Sequence, residues 1–389
     1  MPTNVALIVG GPCKVTHKFA TFRAKAGVKL EFAIESFDVP TDLYGLVDKR
    51  VKDQPVKVSF IPEGRWEDLP VLYPYASAEL GSLITPVHLC GAIDTAANTI
   101  AVADTALLAG APVSFGAETA MPGGITAITP HYLSANAAGL RTVHATQAAA
   151  LAGTGAIDIT SAGTGDISFV EQWPLVIHGR DGKRITLHNA AITKMPALRL
   201  QSTETLYGDM EFECFPKNGV SWETDNSIYT IDSAPFSDTT FDRTKILTQD
   251  YTLTWGAAPW AGLTTKSGIA IDFGLGLEAV EDDASGIITR RITSLTATAK
   301  AEPTGRSLAQ LAAALKVQGT GATRGRSLTG DNLDLAGNGV FIRLYTAALL
   351  GGLANWETKS NRVGELTWQA TRQGGTATPL FLLDTEAPE

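Results

Sequence analysis

A β-hairpin is predicted by the stretch Pro174-Leu-Val-Ile-His-Gly-Arg-Asp-Gly-Lys-Arg-Ile-Thr-Leu-His-Asn189. Its centre, Asp181-Gly182, separates two short apolar-rich runs. An Asp-Gly pair in that position is the strongest short-range signal for a tight hairpin turn. No nucleophile, general base or metal-ligand cluster accompanies the two runs in the sequence. The stretch therefore predicts a sheet but no function, and evidence on function has to come from the rest of the chain.

A second strand, expected between residues 206 and 215, alternates apolar and acidic side chains. Its apolar positions are Met210, Phe212 and Cys214, and its acidic positions are Asp209, Glu211 and Glu213. Successive side chains of a strand point to opposite faces of the sheet. We therefore expect the three carboxylates to face water and the three apolar groups to face a core.

Composition limits the function classes. The chain has 389 residues, 44% of them hydrophobic, which predicts two or three domains with a sizeable core. Its formal charge of −9 argues against a surface with affinity for nucleic acid. The three cysteines Cys13, Cys90 and Cys214 show no metal-ligand spacing, which favours reduced thiols. The start lacks a basic signal-peptide segment, and no apolar run reaches membrane-spanning length, so we expect no membrane insertion.

Further strands are predicted by alternating or apolar runs at 14–23, 28–34, 56–61, 251–255, 269–273, 291–295, 340–344 and 364–368. One amphipathic helix is predicted near residues 308–315, where apolar side chains recur at i, i+3, i+4 and i+7. Between about Ala92 and Ile167 the chain is rich in Ala, Gly and Thr and poor in charge. This segment predicts a small β module whose Gly-Thr-Gly triplets form tight turns.

Several polar clusters are candidate sites. His178 and His188 lie in adjacent predicted strands and could come close, but two histidines without a third ligand make a poor zinc site. Glu281-Asp282-Asp283 could hold a cation and Arg324-Gly-Arg326 could touch phosphate, although a solvated loop or subunit contact accounts for each. No catalytic constellation is visible, which leaves open a site assembled from distant residues.

Several segments resemble the phage tail tube (major tail) protein family. They are Leu175 to Pro196, Lys217-Asn-Gly-Val-Ser-Trp222, Ala234-Pro-Phe-Ser-Asp-Thr-Thr-Phe241, Gly11-Pro-Cys-Lys-Val15, Phe37-Asp-Val-Pro-Thr-Asp42 and Val58-Ser-Phe-Ile-Pro-Glu-Gly-Arg-Trp-Glu67. The likeness is a pattern of strands and turns. The segment Ile157 to Gly165 is similar to repeats of phage decoration and fibre-like modules.

The resemblance implies a mainly β fold: a tail-tube-type β-sandwich or barrel with one flanking α-helix, plus an inserted small β domain. The tube domain would be discontinuous and comprise residues 1–91 and 172–380. Residues 92–171 would form the inserted module on its outer surface, where removal would leave the tube intact.

The resemblance also implies a structural subunit of the virion tail, assembled in the host cytoplasm, and no enzyme. Copies of the chain would form hexameric rings stacked into a tube that conducts DNA during ejection. The implied partners are other copies of the chain, a tape-measure protein and tail tip or terminator proteins, with transient contact to DNA in the lumen. No cofactor and no metal are implied.

Asp209, Glu211 and Glu213 are the candidate lumen-facing residues, because carboxylates on the channel wall would keep DNA phosphates from adhering. The alternative for this face is an acidic outer surface. The alternative function is a virion decoration or a receptor- or glycan-binding protein, with the insert as binding head. The insert carries only Phe115, Tyr132 and Phe169 as aromatic side chains, which counts against that head. A β-rich hydrolase is the third possibility.

Overall fold

The structure is a computed structural model. It describes residues 5–9, 13–41, 45–53, 55–63, 69–85, 87–104, 107–126, 130–200, 205–215, 228–236, 251–256, 260–282, 286–304, 330–337, 340–357, 360–371 and 379–384. Strands account for 65% of them and helices for 3%, which confirms the prediction of a mainly β fold. The predicted helix near residue 308 and the segment Lys217 to Trp222 lie outside the described residues.

The first sheet is built around the predicted hairpin and is antiparallel throughout. Its nine strands are β1 (Val5–Val9), β2 (Cys13–His17), β3 (Ala20–Phe32), β6 (Val56–Glu63), β13 (Leu175–Gly179), β14 (Lys183–Leu187), β15 (Asn189–Lys194), β18 (Met210–Phe215) and β19 (Tyr229–Ser233). Their order is β15-β18-β6-β3-β2-β13-β14-β19, and β1 pairs with β3. The burial of alternate residues in β2 and β6 shows that one face of this sheet meets the core.

The β13–β14 turn has the backbone that its sequence predicts. Leu175 pairs with Leu187 and His178 pairs with Arg184, so the chain reverses across Asp181-Gly182. Gly182 has φ = +80°, in the left-handed region that favours glycine. The Gly182 N–H donates to the carbonyl oxygen of Gly179 at 3.0 Å.

We expect Gly182→Ala to lower the free energy of unfolding by about 1 kcal/mol, because a side chain at φ = +80° is strained. An added Cβ would meet only the Ala234 carbonyl oxygen at 3.5 Å, an ordinary contact, so steric overlap adds nothing. Gly351→Ala is the matched control: it lies in a strand, has no positive φ and no neighbour within 4 Å. Urea unfolding measures both, and equal stability of the two variants would contradict the argument.

The second sheet also has nine antiparallel strands. They are β16 (Leu198–Leu200), β17 (Thr205–Tyr207), β20 (Thr252–Trp255), β21 (Leu263–Asp282), β22 (Gly286–Pro303), β23 (Asp331–Gly337), β24 (Val340–Glu357), β25 (Ser360–Gln369) and β26 (Phe381–Asp384). Their order is β17-β16-β21-β20-β23-β24-β25-β22, with β26 on β24 and a long pairing of β21 with β22.

The two sheets share one hydrophobic core, as in a β-sandwich. The segment after helix α1 (Leu69–Leu72) helps to join them. Tyr73 lies 4.7 Å from the ring of Phe273 in the second sheet, and its hydroxyl donates to the Pro196 carbonyl at 3.0 Å. The Tyr75 hydroxyl donates to the carbonyl of Ile192 in the first sheet at 2.8 Å. These buried contacts fix the sheets face to face.

The Ala/Gly/Thr-rich segment forms a closed six-stranded barrel with its own core. Its strands are β7 (Val87–Asp94), β8 (Thr99–Val102), β9 (Pro112–Ala117), β10 (His131–Leu133), β11 (Leu140–His144) and β12 (Ile167–Glu171), in the order β10-β11-β8-β7-β12-β9. The first strand begins at Val87, five residues before the change of composition at Ala92. Val87 pairs with Val170, so the chain enters and leaves the barrel on adjacent strands.

The barrel contains a short helix that the sequence analysis missed, α2 (Gln147–Ala152). Thr146 caps its start by accepting a hydrogen bond from the Ala149 N–H, and Gly153 ends it with φ = +65°. The alanine run between these two residues favours a helix. Gly155, Gly163 and Gly165 also have positive φ, as tight turns require.

A separate two-stranded ribbon is formed by β4 (Glu35–Thr41) and β5 (Gly45–Asp53). Its register runs from Glu35 opposite Asp53 to Thr41 opposite Gly45. Among the described residues, neither strand pairs with a third one. We call this pair of strands the arm.

Candidate functional site

The three candidate carboxylates do not share one environment. Asp209 is exposed, at the residue before β18. Glu211 is partly exposed, and its Oε1 lies 3.7 Å from the Nζ of Lys57 on the neighbouring strand β6. Met210, Phe212 and Cys214 are buried in the core, as predicted for the opposite face.

Glu213 contradicts the expectation that all three carboxylates face water. Its side chain is only 3% exposed, and Arg290 from β22 holds it through two hydrogen bonds. The Arg290 Nη2 to Glu213 Oε1 distance is 2.7 Å. Because β18 belongs to the first sheet and β22 to the second, this ion pair joins the two sheets. The alternation of apolar and acidic residues predicts on which side of the sheet Glu213 lies. It does not predict that β22 of the second sheet covers Glu213 on that side.

The surface beside Glu211 is also of mixed charge. Lys29 and Glu31 lie on the next strand, β3, with 3.4 Å between Nζ and Oε2. Lys57 on β6 pairs with Glu31 on β3 and with Glu213 on β18, and its Nζ approaches Glu211, the next residue of β18 on the same face. Lysine side chains therefore alternate with carboxylates on this face of the first sheet. Of the three candidate lumen-facing residues, only Asp209 and Glu211 remain available to line a channel.

The two candidate metal-ligand histidines, His178 and His188, do not meet. The hairpin register places His178 opposite Arg184, whereas His188 follows the pair Leu175–Leu187 at the other end. His178 donates through Nε2 to the Ala234 carbonyl at 2.9 Å and packs edge-on against Phe236. Within the described ranges, no group of three His, Cys, Asp or Glu residues could hold a metal ion. Of the acidic run Glu281–Asp283, the third residue, like Arg324 and Arg326, lies outside those ranges.

A polar cluster that the sequence analysis missed lies where the barrel meets the sandwich. His88 on β7 stacks on Phe169 at 5.0 Å. Its Nδ1 lies 3.6 Å from the Asp104 carboxylate, and its Nε2 lies 3.7 Å from that of Glu171. The Trp173 indole N–H donates to the Glu171 Oε2 at 2.5 Å. Residues far apart in sequence thus converge at the last residue of β12.

Glu171 is ionised at neutral pH in this cluster. Burial acts to raise the pKa of its carboxyl, but the contacts with His88 and Trp173 and the charge of Lys18 outweigh it and hold the pKa below its ordinary value. The carboxylate therefore sits next to a cavity as a fixed negative charge.

The β2–β3 turn, Lys18-Phe19, reaches into this junction from the sandwich. Both residues have positive φ, +46° and +67°, which is uncommon for residues other than glycine and asparagine. Phe19 is 49% exposed and packs edge-on against Trp173 at 5.1 Å. A strained turn that persists needs firm support from its surroundings. Trp173 supplies part of it.

His17, next to this turn, is buried and neutral. Its Nδ1–H donates to the Pro174 carbonyl at 3.2 Å, and its ring lies 5.0 Å from Phe212. Burial, aided by the charge of Lys18, lowers the pKa of His17 to about 3, although the Pro174 hydrogen bond and Glu171 oppose the shift. His17 therefore serves as a buried hydrogen-bond donor to the backbone.

Two cavities flank the Lys18-Phe19 turn. The first, of about 290 Å³, is lined by residues that include Lys18, Tyr75, Glu171, Trp173 and Asn189. The second, of about 340 Å³, is lined on the other side by residues that include Phe19, Tyr132, Gln147, Gln172 and Pro174. No sequence motif marks this junction, because its residues come from the first sheet, the barrel and the link between them.

Comparison with protein-family models finds none that matches this chain, and comparison with curated proteins finds no match. Within the described residues, no helix has the length and apolar character needed to cross a membrane.

Proposed function

We propose that this chain is a structural subunit of a bacteriophage tail tube, which assembles as hexameric rings stacked into a conduit for DNA. The observation that carries the proposal is the arm, Glu35–Thr41 with Gly45–Asp53, whose outer edges are unpaired within the described residues. The likeness of the segments around Leu175 to Pro196 and Lys217 to Trp222 to tail tube proteins supports the same class.

The arm is a poor structure for a solitary molecule. An isolated two-stranded ribbon is marginally stable in water. Strand edges that join no further described strand are also a template for pairing with another chain, and proteins usually block such edges unless they use them. A neighbouring copy that pairs with the arm would satisfy those groups and stabilise the ribbon. A ring of identical subunits supplies such a neighbour to every copy.

A second ribbon has the same character. At the far end of β24 and β25, the pairs from Ala354–Val363 to Glu357–Ser360 are bonded only to each other within the described chain. β21 is 20 residues long, which corresponds to about 65 Å of extended chain. Ribbons of this length with open edges would suit contacts between stacked rings.

The same proposal assigns Asp209 and Glu211 to the lumen wall. The mixed charges of Lys29, Glu31 and Lys57 beside them make a surface of low net charge, which would hold DNA phosphates only weakly. The barrel would project from the outer wall. The tape-measure, tail tip and terminator proteins remain the proposed partners, and the virion tail the proposed location.

We expect the purified chain to form rings or tubes in negative-stain micrographs and species heavier than a monomer in sedimentation. Replacing residues 36–52 with a Gly-Ser turn should abolish assembly and leave the circular dichroism of the sandwich almost unchanged, because the arm pairs with no strand of the sandwich among the described residues. Replacing residues 88–169 of the barrel with a short linker is the matched control and should leave assembly intact.

Two results would contradict the proposal. One is a wild-type chain that stays monomeric at high concentration and in the presence of tape-measure and tail tip proteins. The other is an arm-deleted chain that assembles as readily as the wild type, which would show that the unpaired ribbon is not the contact.

A further inference from the structure

β15 and β19 stand at the two ends of the strand order of the first sheet, and β15 is covered whereas β19 is open. At β15, the Ala190 N–H donates to the Trp173 carbonyl at 3.0 Å. The Ile192 carbonyl of the same strand accepts from the Tyr75 hydroxyl at 2.8 Å. At β19, by contrast, all five residues are exposed. Proteins usually block a sheet edge that they do not use, so β19 is a candidate interaction surface.

The pairing of β19 with β14 fixes which of its backbone groups point outward. The Ala234 N–H, directly after the strand, donates to the Gly182 carbonyl at 2.9 Å. Inward and outward groups alternate along an antiparallel strand. The N–H and C=O groups of Tyr229, Ile231 and Ser233 therefore point away from β14. Within the described part of the chain, no backbone group pairs with them.

The core face of the first sheet is uncovered at this edge. Ile231 pairs with Ile185, and Ile185 is buried. Tyr229 pairs with Leu187, which is buried as well. Side chains directly opposite each other share one face of a sheet, yet Ile231 is 60% exposed and Tyr229 40%. A strand beside β19 would therefore gain apolar burial in addition to backbone hydrogen bonds.

β19 also lacks the usual devices that block an edge. Its sequence, Tyr229-Thr-Ile-Asp-Ser233, contains neither proline nor lysine, and no bulge interrupts its register with β14. Its one charged residue, Asp232, is held within the sheet by Arg184, whose Nε donates to Asp232 Oδ1 at 2.8 Å. The edge therefore presents no uncompensated charge that would repel an incoming strand.

The strand that fits this edge is β19 itself. We propose that β19 pairs antiparallel with β19 of a second copy of this chain, with the two-fold axis at Ile231. Ile231 then lies opposite Ile231 of the partner subunit, and Tyr229 lies opposite Ser233 of the partner subunit. All three outward-pointing residues form hydrogen-bonded pairs in this register, and the exposed isoleucines cover each other.

Charge selects this register over its neighbour. With the axis at Ile231, Asp232 lies opposite Thr230 of the partner subunit, so no like charges meet. With the axis at Asp232, two carboxylates would lie side by side, which is destabilising. That shift would also leave two hydrogen-bonded pairs instead of three.

This contact goes beyond the proposed tube and does not depend on it. A two-fold contact is isologous, whereas neighbours in a ring of six copies make heterologous contacts. The pair would therefore cover the open edge of copies that have not joined a ring. An exposed edge of this kind is otherwise a site of aggregation.

Disulfide trapping in the full-length chain tests the register. Ile231→Cys places two thiols at the axis, with Cα atoms about 5.5 Å apart, which a disulfide can span. Tyr229→Cys is the matched control on the same face of the strand, because its Cα would lie about 14 Å from that of its counterpart. Both variants carry Cys90→Ser, since Cys13 and Cys214 are buried and Cys90 is not. We expect about tenfold more linked dimer from Ile231→Cys after mild oxidation.

Sedimentation supplies a second test that does not depend on a cysteine variant. The arm-deleted chain, with residues 36–52 replaced, lacks the proposed ring contact and should still sediment as a dimer. Ile231→Lys in that chain should shift it to a monomer, because two lysines would meet at the axis. Leu80→Lys is the control: Leu80 is also 60% exposed but lies in a turn outside β19, so this variant should remain a dimer.

Three results would overturn the proposal. The first is linkage of Tyr229→Cys as readily as Ile231→Cys, which would indicate another register or random collision. The second is absence of linked dimer from both variants, which is the result if the arm of a neighbour occupies the edge instead. The third is an arm-deleted chain that is monomeric, or that stays dimeric with Ile231→Lys. None of these readouts requires ring formation, so failure of the tube proposal leaves them unchanged.

Discussion

Replacing Glu213 with glutamine is expected to lower the free energy of unfolding by about 3 kcal/mol, because it removes the negative partner of a buried ion pair with Arg290 between the two sheets. The carboxylate is 3% exposed and Arg290 is 20% exposed, so solvent replaces the lost partner only in part. Urea unfolding followed by tryptophan fluorescence measures the change. Glu213→Lys should be more damaging still, since it places two cations together.

The matched control is Glu211→Gln, two residues away on the same face of the same strand. Its contact with Lys57 is partly exposed and 3.7 Å long, so we expect a change of about 0.5 kcal/mol or less. The double variant Glu213→Leu with Arg290→Met should recover much of the lost stability, as apolar replacements of buried ion pairs often do. Equal effects of Glu213→Gln and Glu211→Gln would disprove the structural role of the pair.

Acid should destabilise the protein through His17 more steeply than through an ordinary surface histidine. The folded-state pKa is about 3, against 6.5 for an unperturbed histidine. The unfolded chain therefore binds a proton that the folded chain does not, at every pH between these values. The stabilising contribution is complete above about pH 6.5 and is lost progressively as the pH falls toward 3. Each unit of difference is worth about 1.4 kcal/mol, so the full loss is about 5 kcal/mol.

Comparison with His17→Asn isolates this contribution from the carboxylates that also titrate in acid. Asparagine can still donate to the Pro174 carbonyl but takes up no proton in this range. Stability measured at several pH values between 7 and 4 should fall more steeply for the wild type than for the variant. Parallel pH profiles would show that His17 is protonated in the folded state without cost.

The sequence predicts the parts of this fold that local chemistry decides. The turn at Gly182 needs only two residues, and the core face of β18 follows from the alternation of Met210, Phe212 and Cys214. Glu213 shows the limit of that argument. Its partner, Arg290, lies 77 residues away, and the period of a strand does not tell which element covers a face. The composition predicts a separate module from Ala92 onward. The first strand of the barrel begins earlier, at Val87, in a stretch whose residue types do not differ from those of the preceding segment, so composition does not mark this boundary.

The junction could not be predicted for the same reason. Lys18, His88, Glu171 and Asn189 belong to four strands or turns of two different sheets and share no spacing. Helix α2, by contrast, has local sequence signals. Thr146 and Gly153 are typical capping residues, and they lie at the two ends of an alanine-rich run. Glycine-rich surroundings favour turns and strands, so the expectation for this segment left out the helix that Thr146 and Gly153 delimit.

The adjacency of the first and last barrel strands has a kinetic consequence. β2 must pair with β13, and Thr16 and Val176 are 160 residues apart along the chain. A barrel that closes first brings residues 87 and 170 side by side, which shortens the effective loop between β2 and β13 to roughly half. Each halving of a loop lowers the entropic cost of closure by about 0.6 kcal/mol, and long-range pairing is what slows the folding of β proteins. A barrel that closes early would therefore accelerate folding of the sandwich that carries it.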